Sequence, residues 1–201
     1  MDGKRIAIIG AGVVGAALGG GWAARGHELV YAARDPASGK VRRAVAATPG
    51  ARAEPIGDAV AGSDVAVLAT PWAACESALA AAGDFGGRPL LDATNPLTPS
   101  FGLALGFDDS GGEQVQRWAP TARVVKVFNS TGWENLARPG YPAGPAAMLL
   151  CGDDAAARGT AGALAADLGL EPLDLGPLQA ARLLEPYAMV WIRLALVQGL
   201  G

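Results

Sequence analysis

The chain of 201 residues is 51% hydrophobic and only 17% charged, a balance that excludes disorder and suits one α/β domain with a sizeable core. Its net charge of -3, with arginines scattered among acidic residues, gives no basic face for tracking a phosphate backbone, so nucleic acid is not an expected partner. One histidine, His27, and two distant cysteines, Cys75 and Cys151, exclude serine-protease-type triads, histidine-rich metal sites and a disulfide framework; no metal is expected and both thiols read as buried and free.

The first residues run straight into a strand without the stages of a signal peptide, and no apolar run reaches the roughly 18 residues of a membrane span. A cytoplasmic location without a membrane partner is the expectation. Strands are expected at residues 6–9, 29–33, 65–69, 90–92, 124–128 and 147–151, with weaker ones near 52–55 and 170–175. Ala-rich helical stretches lie between them. Such alternation predicts a Rossmann-type doubly wound parallel sheet with helices on both faces. One dinucleotide-binding domain over 1–201 follows, with 147–201 as a C-terminal extension that helps form the substrate side. Residues 98–112, rich in Gly, Ser and Asp, read as a surface loop within that domain. Residues 178–197 have helical length and are apolar nearly all round except Arg182, Glu185 and Arg193. That helix is expected to bury most of its faces, against the end of the sheet or against a second subunit.

Gly10, Ala11, Gly12, Val13, Val14 and Gly15 form G-x-G-x-x-G between an apolar strand and an Ala-rich helix. Gly10 permits the tight turn, Gly12 lets the backbone approach a pyrophosphate, and Gly15 lets the helix pack close to the strand. The phosphates would then sit at the positive end of the helix. A tight βα turn with no ligand is the bland alternative. At the end of the second strand, beside the adenosine ribose in this fold, stands Arg34, with Lys40, Arg42 and Arg43 nearby. A cation there suits the 2′-phosphate of NADP over NAD. Asp35 is the opposing acid, but with Pro36 it reads as an N-cap and first-turn pair.

Further strand ends, at Thr70, Pro71 and Trp72, at Thr94, Asn95 and Pro96, and at Asn129, Ser130 and Thr131, should meet at the same crevice, because doubly wound sheets bind ligands at the carboxyl ends of their strands. Short polar groups, prolines and one large aromatic suit the orientation of a ring, although ordinary turn chemistry also uses them. No acid or base is forced into this crevice: Lys126 sits inside a strand, and His27 after Gly26 looks like a helix cap. A hydride transfer in which the protein only aligns two rings would need neither.

Together these motifs resemble the F(420)-dependent NADP oxidoreductase family, also called NADPH-dependent deazaflavin coenzyme F(420) reductases. The likeness runs over nearly the whole chain: GAGVVG at 10–15, TPW at 70–72, TNP at 94–96, VVKVFNSTG at 124–132, CGDD at 151–154 and GPLQAARLLEP at 176–186. The resemblance implies hydride transfer between NADP and a deazaflavin, and a homodimer. On the cofactor side it implies the glycine loop, Ala33, Arg34, Lys40, Thr70, Pro71, Trp72, Asn95, Leu97, Asn129 and Trp133, with the pyridine ring near Trp72, Leu97 and Asn129. On the acceptor side it implies Asn129, Ser130, Thr131 and Leu178. The family's Ser-Arg pair at the 2′-phosphate is Ala33 and Arg34 here, and archaeal members carry a His at the place of Asn129. The Phe128–Asn129 form also looks like the oxidoreductase domain of membrane-bound metal reductases, which pass electrons from NADPH to a flavin. A small-molecule redox acceptor is the expected partner. The readings left open are a reductase of a flavin, quinone or imine, and a non-catalytic NADP-binding or sensor protein.

Overall fold

The β-branched runs end at Gly, Pro or Asn and hand over to Ala-rich helices, and this gives eight strands and eight α-helices among the described residues, 3–199, of the computed structural model. In chain order they are β1 (Arg5–Ile9), α1 (Val13–Ala23), β2 (Glu28–Ala33), α2 (Gly39–Ala47), β3 (Arg52–Pro55), α3 (Ile56–Ala61), β4 (Val65–Leu68), α4 (Cys75–Ala82), β5 (Pro89–Asp92), α5 (Gly111–Trp118), β6 (Arg123–Lys126), α6 (Trp133–Ala137), β7 (Ala147–Gly152), α7 (Ala155–Asp167), β8 (Glu171–Asp174) and α8 (Ala181–Ile192). Residues 1, 2, 200 and 201, which the sequence reading includes in the same domain, lie outside the described residues.

The sheet order is β3-β2-β1-β4-β5-β6-β7-β8. The first six strands are parallel, in the 3-2-1-4-5-6 order of a dinucleotide-binding Rossmann fold. The extension departs from the expected all-parallel sheet, because β7 runs antiparallel to β6 and β8 runs parallel to β7. A parallel return needs a crossover long enough to carry the chain back along the sheet. The only helix between β6 and β7 is the five-residue α6, so β7 starts from the edge where β6 ended.

Alternating strand side chains feed two core layers. Ile6, Ile8 and Tyr31 pack under α1, α2, α6 and α7, with Trp22 and Phe128 edge to face at 5.6 Å. Ala7, Ile9 and Val30 pack under α3, α4 and α5 on the other face. His27 does not cap α1 with its ring. Its backbone N–H closes the helix on Trp22 O, while the imidazole bridges Lys4 N–H and the Asp167 carboxylate at 3.1 Å each. Cys75 and Cys151 are free and buried, and burial pushes the thiols up to about 11 and about 12 respectively.

Residues 98–110 of the expected 98–112 loop are non-helical, but Gly111 and Gly112 already belong to α5, capped by the Ser110 hydroxyl, which accepts Glu113 N–H. The apolar C-terminal stretch forms a 3-10 turn (Leu178–Ala180), then α8, then a wider final turn (Arg193–Val197). Only one face of it is buried: Ala181, Leu184, Glu185, Ala188 and Ile192. Leu183, Tyr187, Val190, Leu194 and Val197, at 4-3-4-3 spacing, remain exposed on the single chain, so the sheet supplies burial for one face alone. Among the described residues no helix is long and apolar enough to cross a membrane.

Candidate active site

The three glycines after β1 are needed for three different reasons. Gly10 has φ +118° and a Cβ there would lie 2.5 Å from Ala69 O, so only glycine makes this turn against β4. At Gly15 a Cβ would collide with the Gly10 carbonyl and press on Ile8, so the glycine sets how closely α1 approaches β1. Gly12 is different. Its φ of -84° suits any residue, and a Cβ would meet only Lys40 Nζ, at 3.9 Å. The space it leaves faces outward, at the N-terminus of α1, where no side chain caps the helix and no acid stands in the first turn. Val13 is exposed, and Ala11 and Val14 are half-buried. This end of α1 holds unpaired N–H groups suited to an anion.

From there a cleft of about 130 Å³ runs past the end of β2, lined by Gly10, Ala11, Ala33, Arg34, Lys40 and Thr70 among others. A shallower groove beside it adds Gly12, Val13 and Arg43. Lys40 lines both, whereas Arg42 lines neither. Arg34, Lys40 and Arg43 are exposed and none makes an ion pair among the described residues. Asp35 does not compete for them by geometry of its own making: its carboxylate accepts Ala37 N–H at 3.0 Å in an Asx turn. The expected helix start there is corrected by three residues, since Ser38 is the N-cap of α2. The apolar part of the lining, Ile56, Ala74 and Ala78, was not foreseen, because alanines and isoleucine facing a slot look like any core positions in sequence.

The other three strand ends leave the same edge of the sheet. Thr70 Oγ1 is 3.3 Å from Cys75 Sγ, and Trp72 packs its ring against Trp118 at 5.1 Å. Pro71 opens the short turn that carries Trp72. Thr94 is tied to Asp92 Oδ1 by both its backbone N–H and its hydroxyl. Asn95 and Asn129 lock together: Asn95 Nδ2 donates to the Asn129 backbone carbonyl and Asn129 Nδ2 donates to Asn95 Oδ1, both at 3.1 Å. The carbonyl can only accept, so it fixes the orientation of Asn95, which in turn fixes that of Asn129. Asn129 Oδ1 is left buried with no donor. An unmet buried acceptor costs about 1–3 kcal/mol, a reason to expect a ligand donor. Just before it, Phe128 holds φ +65°, a conformation that costs on the order of 1–3 kcal/mol and re-aims the chain as it leaves β6.

Ser130 faces Met148 Sδ, Thr131 Oγ1 accepts Asn135 Nδ2 at 2.8 Å, and Trp133 is 42% exposed at the start of α6. Leu97 is half-buried, two residues after Asn95. Leu178 departs from the acceptor side implied by resemblance. It is only 3% exposed, packed in the core against the backbone of Gly112, and offers no open face.

Beneath these loops lies a feature the sequence reading missed. Lys126 is fully buried on β6 and its ammonium bonds Asp92 Oδ2 and Glu185 Oε1, each at 2.9 Å. Glu185, on α8, also accepts Gly111 N–H and Gly112 N–H at 2.8 and 2.9 Å, so it fills the N-terminus of α5. A Cβ on Gly111 would lie 3.0 Å from that carboxylate, and one on Gly112 would press on Ala181 and Leu178 at 3.2 and 3.3 Å. Burial pulls the Lys126 ammonium down, but the two carboxylates more than offset it and hold the pKa above the usual lysine value. Arg182 forks onto Glu113 alongside, and of the three charges on the C-terminal helix only Arg193 is left exposed.

The comparisons agree with this geometry. A family model described as NADP oxidoreductase coenzyme F(420)-dependent matches residues 5–96. A candidate F(420)-dependent NADP-reductase from Arthrobacter sp. FB24 is 34% identical, with TM-score 0.89 over 98% of this chain and 96% of that one. The metalloreductase STEAP3 of Rattus norvegicus is 27% identical over 92% of this chain, which spans only 36% of that protein's length. A reductive aminase from Aspergillus terreus, solved with NADPH and ethyl levulinate, shares the fold at TM-score 0.70 and 22% identity, over 98% of this chain and 63% of that one. A relative 34% identical along nearly all of both chains, with the family model over the nucleotide-binding half, places the chain: it belongs to the coenzyme F(420)-dependent NADP oxidoreductase family and is an NADP-dependent oxidoreductase.

Proposed function

We propose that the chain moves a hydride between NADP(H) and a deazaflavin of the F(420) type, held face to face at the carboxyl ends of β4, β5 and β6. The observation that carries the NADP side is the set of three unpaired cations, Arg34, Lys40 and Arg43, around the cleft that leads from the open Gly12. The uncapped end of α1 takes the pyrophosphate, and Lys40 Nζ lies close enough to reach it. Arg34 meets the 2′-phosphate, and the apolar slot of Ile56, Ala74 and Ala78 takes the adenine. Asn129 Oδ1, fixed and without a donor, is buried in the free chain and meets the carboxamide N–H of the pyridine ring once the loops around it open. When bound, NADPH supplies the hydride, so the protein's own task is to orient the ring and exclude water. The titratable groups nearest these loops support that division. Lys126 is held between Asp92 and Glu185, and Cys75 keeps its proton at neutral pH.

The test follows absorbance when the protein is mixed with NADPH and F(420), with riboflavin and FAD in parallel. Bleaching of F(420) at a rate well above that of either flavin is expected. Turnover with a flavin alone would move the acceptor to the second reading, which the likeness to the metalloreductase favours. No turnover with any acceptor would leave a binding or sensor protein.

We further propose that the chain is a homodimer. Leu183, Tyr187, Val190, Leu194 and Val197 make a seam of the kind two copies of one helix bury against each other. Light scattering is expected to give a dimer for the natural chain and a monomer for the double substitution Leu183→Lys and Val190→Lys. A natural chain that is monomeric at all concentrations contradicts this.

A further inference from the structure

The segment joining β5 to α5 leaves the sheet at the edge that carries the glycine loop and Asn129, and includes Asn95 near its start. Its base is tied down: Ala104 N–H donates to Pro96 O at 2.7 Å, Leu97 bridges Leu103, and Thr98 N–H donates to Gly102 O. Its far end is anchored by the Arg117–Asp109 pair at 2.6 Å and by the Ser110 cap of α5. Between these anchors stands Phe107, 95% exposed. No other large hydrophobic among the described residues is so open.

Its backbone adds a second observation. The non-glycine residues with positive φ among the described residues are Phe101 (φ 57°), Phe107 (φ 59°) and Phe128, all on the two segments that leave β5 and β6. A phenylalanine has no side-chain polar atom to stabilise that conformation locally, unlike Asn or Asp. The Asp108 N–H bond to Gly106 O at 2.8 Å closes a turn across Phe107 and supports its backbone, but no contact in the free protein covers its ring. A flat conjugated ring lying against it would.

We propose that Phe107 is the outer wall of the acceptor site, stacking on the face of the redox ring turned away from the nicotinamide, with the tip of the 103–108 segment settling onto it. This rests on the reading above that the acceptor is a flat redox ring. It assigns a role to a residue that neither the glycine loop nor the strand ends include, and explains how acceptor selectivity arises without an acid or base.

An exposed phenylalanine in a loop is a chymotrypsin site, so limited proteolysis of the natural chain reads the assignment directly, with fragments identified by mass. Equilibrium dialysis of F(420) and FMN against the NADP-saturated protein establishes in parallel whether either ring binds. Cleavage after Phe107 is expected to be rapid in the free and NADP-bound protein and to slow about tenfold when the bound ring is added. Phe107→Ala is expected to weaken the ring by about tenfold and to leave the NADP dissociation constant unchanged. A ring that binds by dialysis yet leaves cleavage after Phe107 at its free rate overturns the assignment, as does a Phe107→Ala chain that binds the ring as tightly as the natural one. If neither ring binds the natural chain, the flat-ring reading itself falls and this assignment with it, an outcome distinct from the other two.

Discussion

Gly12→Ala is expected to weaken NADPH binding by about 100-fold, roughly 3 kcal/mol, while the protein melts within a few degrees of its natural temperature. The two halves of that expectation come from one geometry. A methyl group at Gly12 has room, since its nearest neighbour is the flexible end of Lys40 at 3.9 Å and the backbone there is extended in ψ with ordinary negative φ. Alanine is a poorer N-cap than glycine by only about a kcal/mol or less, which limits the effect on stability. The room, however, is where the pyrophosphate must approach the backbone. Gly15→Ala is the contrasting case, because its Cβ would land on the Gly10 carbonyl and disturb the loop itself. Fluorescence titration and a thermal melt on the same sample separate the two. Binding of NADPH by the Gly12→Ala protein within twofold of the natural affinity would mean that the glycine only makes a turn.

Lys126→Met is expected to be the most destabilising single change in the chain. It would leave the carboxylates of Asp92 and Glu185 buried at 0% and 1% exposure without their shared cation. Breaking a buried pair from one side costs about 3–5 kcal/mol. For a chain of this size that lowers the melting temperature by about 6–20 °C. Neutralising the whole group, with Asp92→Asn and Glu185→Gln added to Lys126→Met, is expected to recover part of the loss, because no unpaired charge remains. The sign with pH is also determined. The folded pKa of Lys126 is raised above its ordinary 10.5, so its contribution is complete below that value and is lost only as alkali titrates the folded protein. A Lys126→Met protein that melts within 2 °C of the natural one, on the scale of about 2–4 °C per kcal/mol, would show that the network contributes nothing net.

What could be read from the sequence divides along physical lines. Strand positions, the glycine loop and the run of basic residues after Arg34 depend on local pattern, and each strand formed within a residue or two of its expected bounds. The reversal of β7 was not legible, because it turns on how short α6 is, and five residues of helix in a Gly/Pro-rich stretch carry little periodic signal. Lys126 looked like an isolated charge in a strand since its partners come from β5 and α8, far apart in the chain. Glu185 and the Gly111–Gly112 pair were two unexplained features that explain each other once they meet. Leu178 was placed on the acceptor side by likeness alone, and the core claims it instead. Positive φ at Phe101, Phe107 and Phe128 has no compositional trace, since nothing about a phenylalanine announces a left-handed backbone.

The central claim is that the cleft beside β2 reads a 2′-phosphate. Calorimetric titration with 2′,5′-ADP and with 5′-AMP, on the natural chain and on Arg34→Ala, tests it without an acceptor or turnover. The natural chain is expected to bind 2′,5′-ADP about tenfold or more tighter than 5′-AMP, and Arg34→Ala to lose most of that difference while keeping its affinity for 5′-AMP. Equal affinity of the natural chain for the two nucleotides would contradict the assignment of Arg34, Lys40 and Arg43 to the phosphate of NADP.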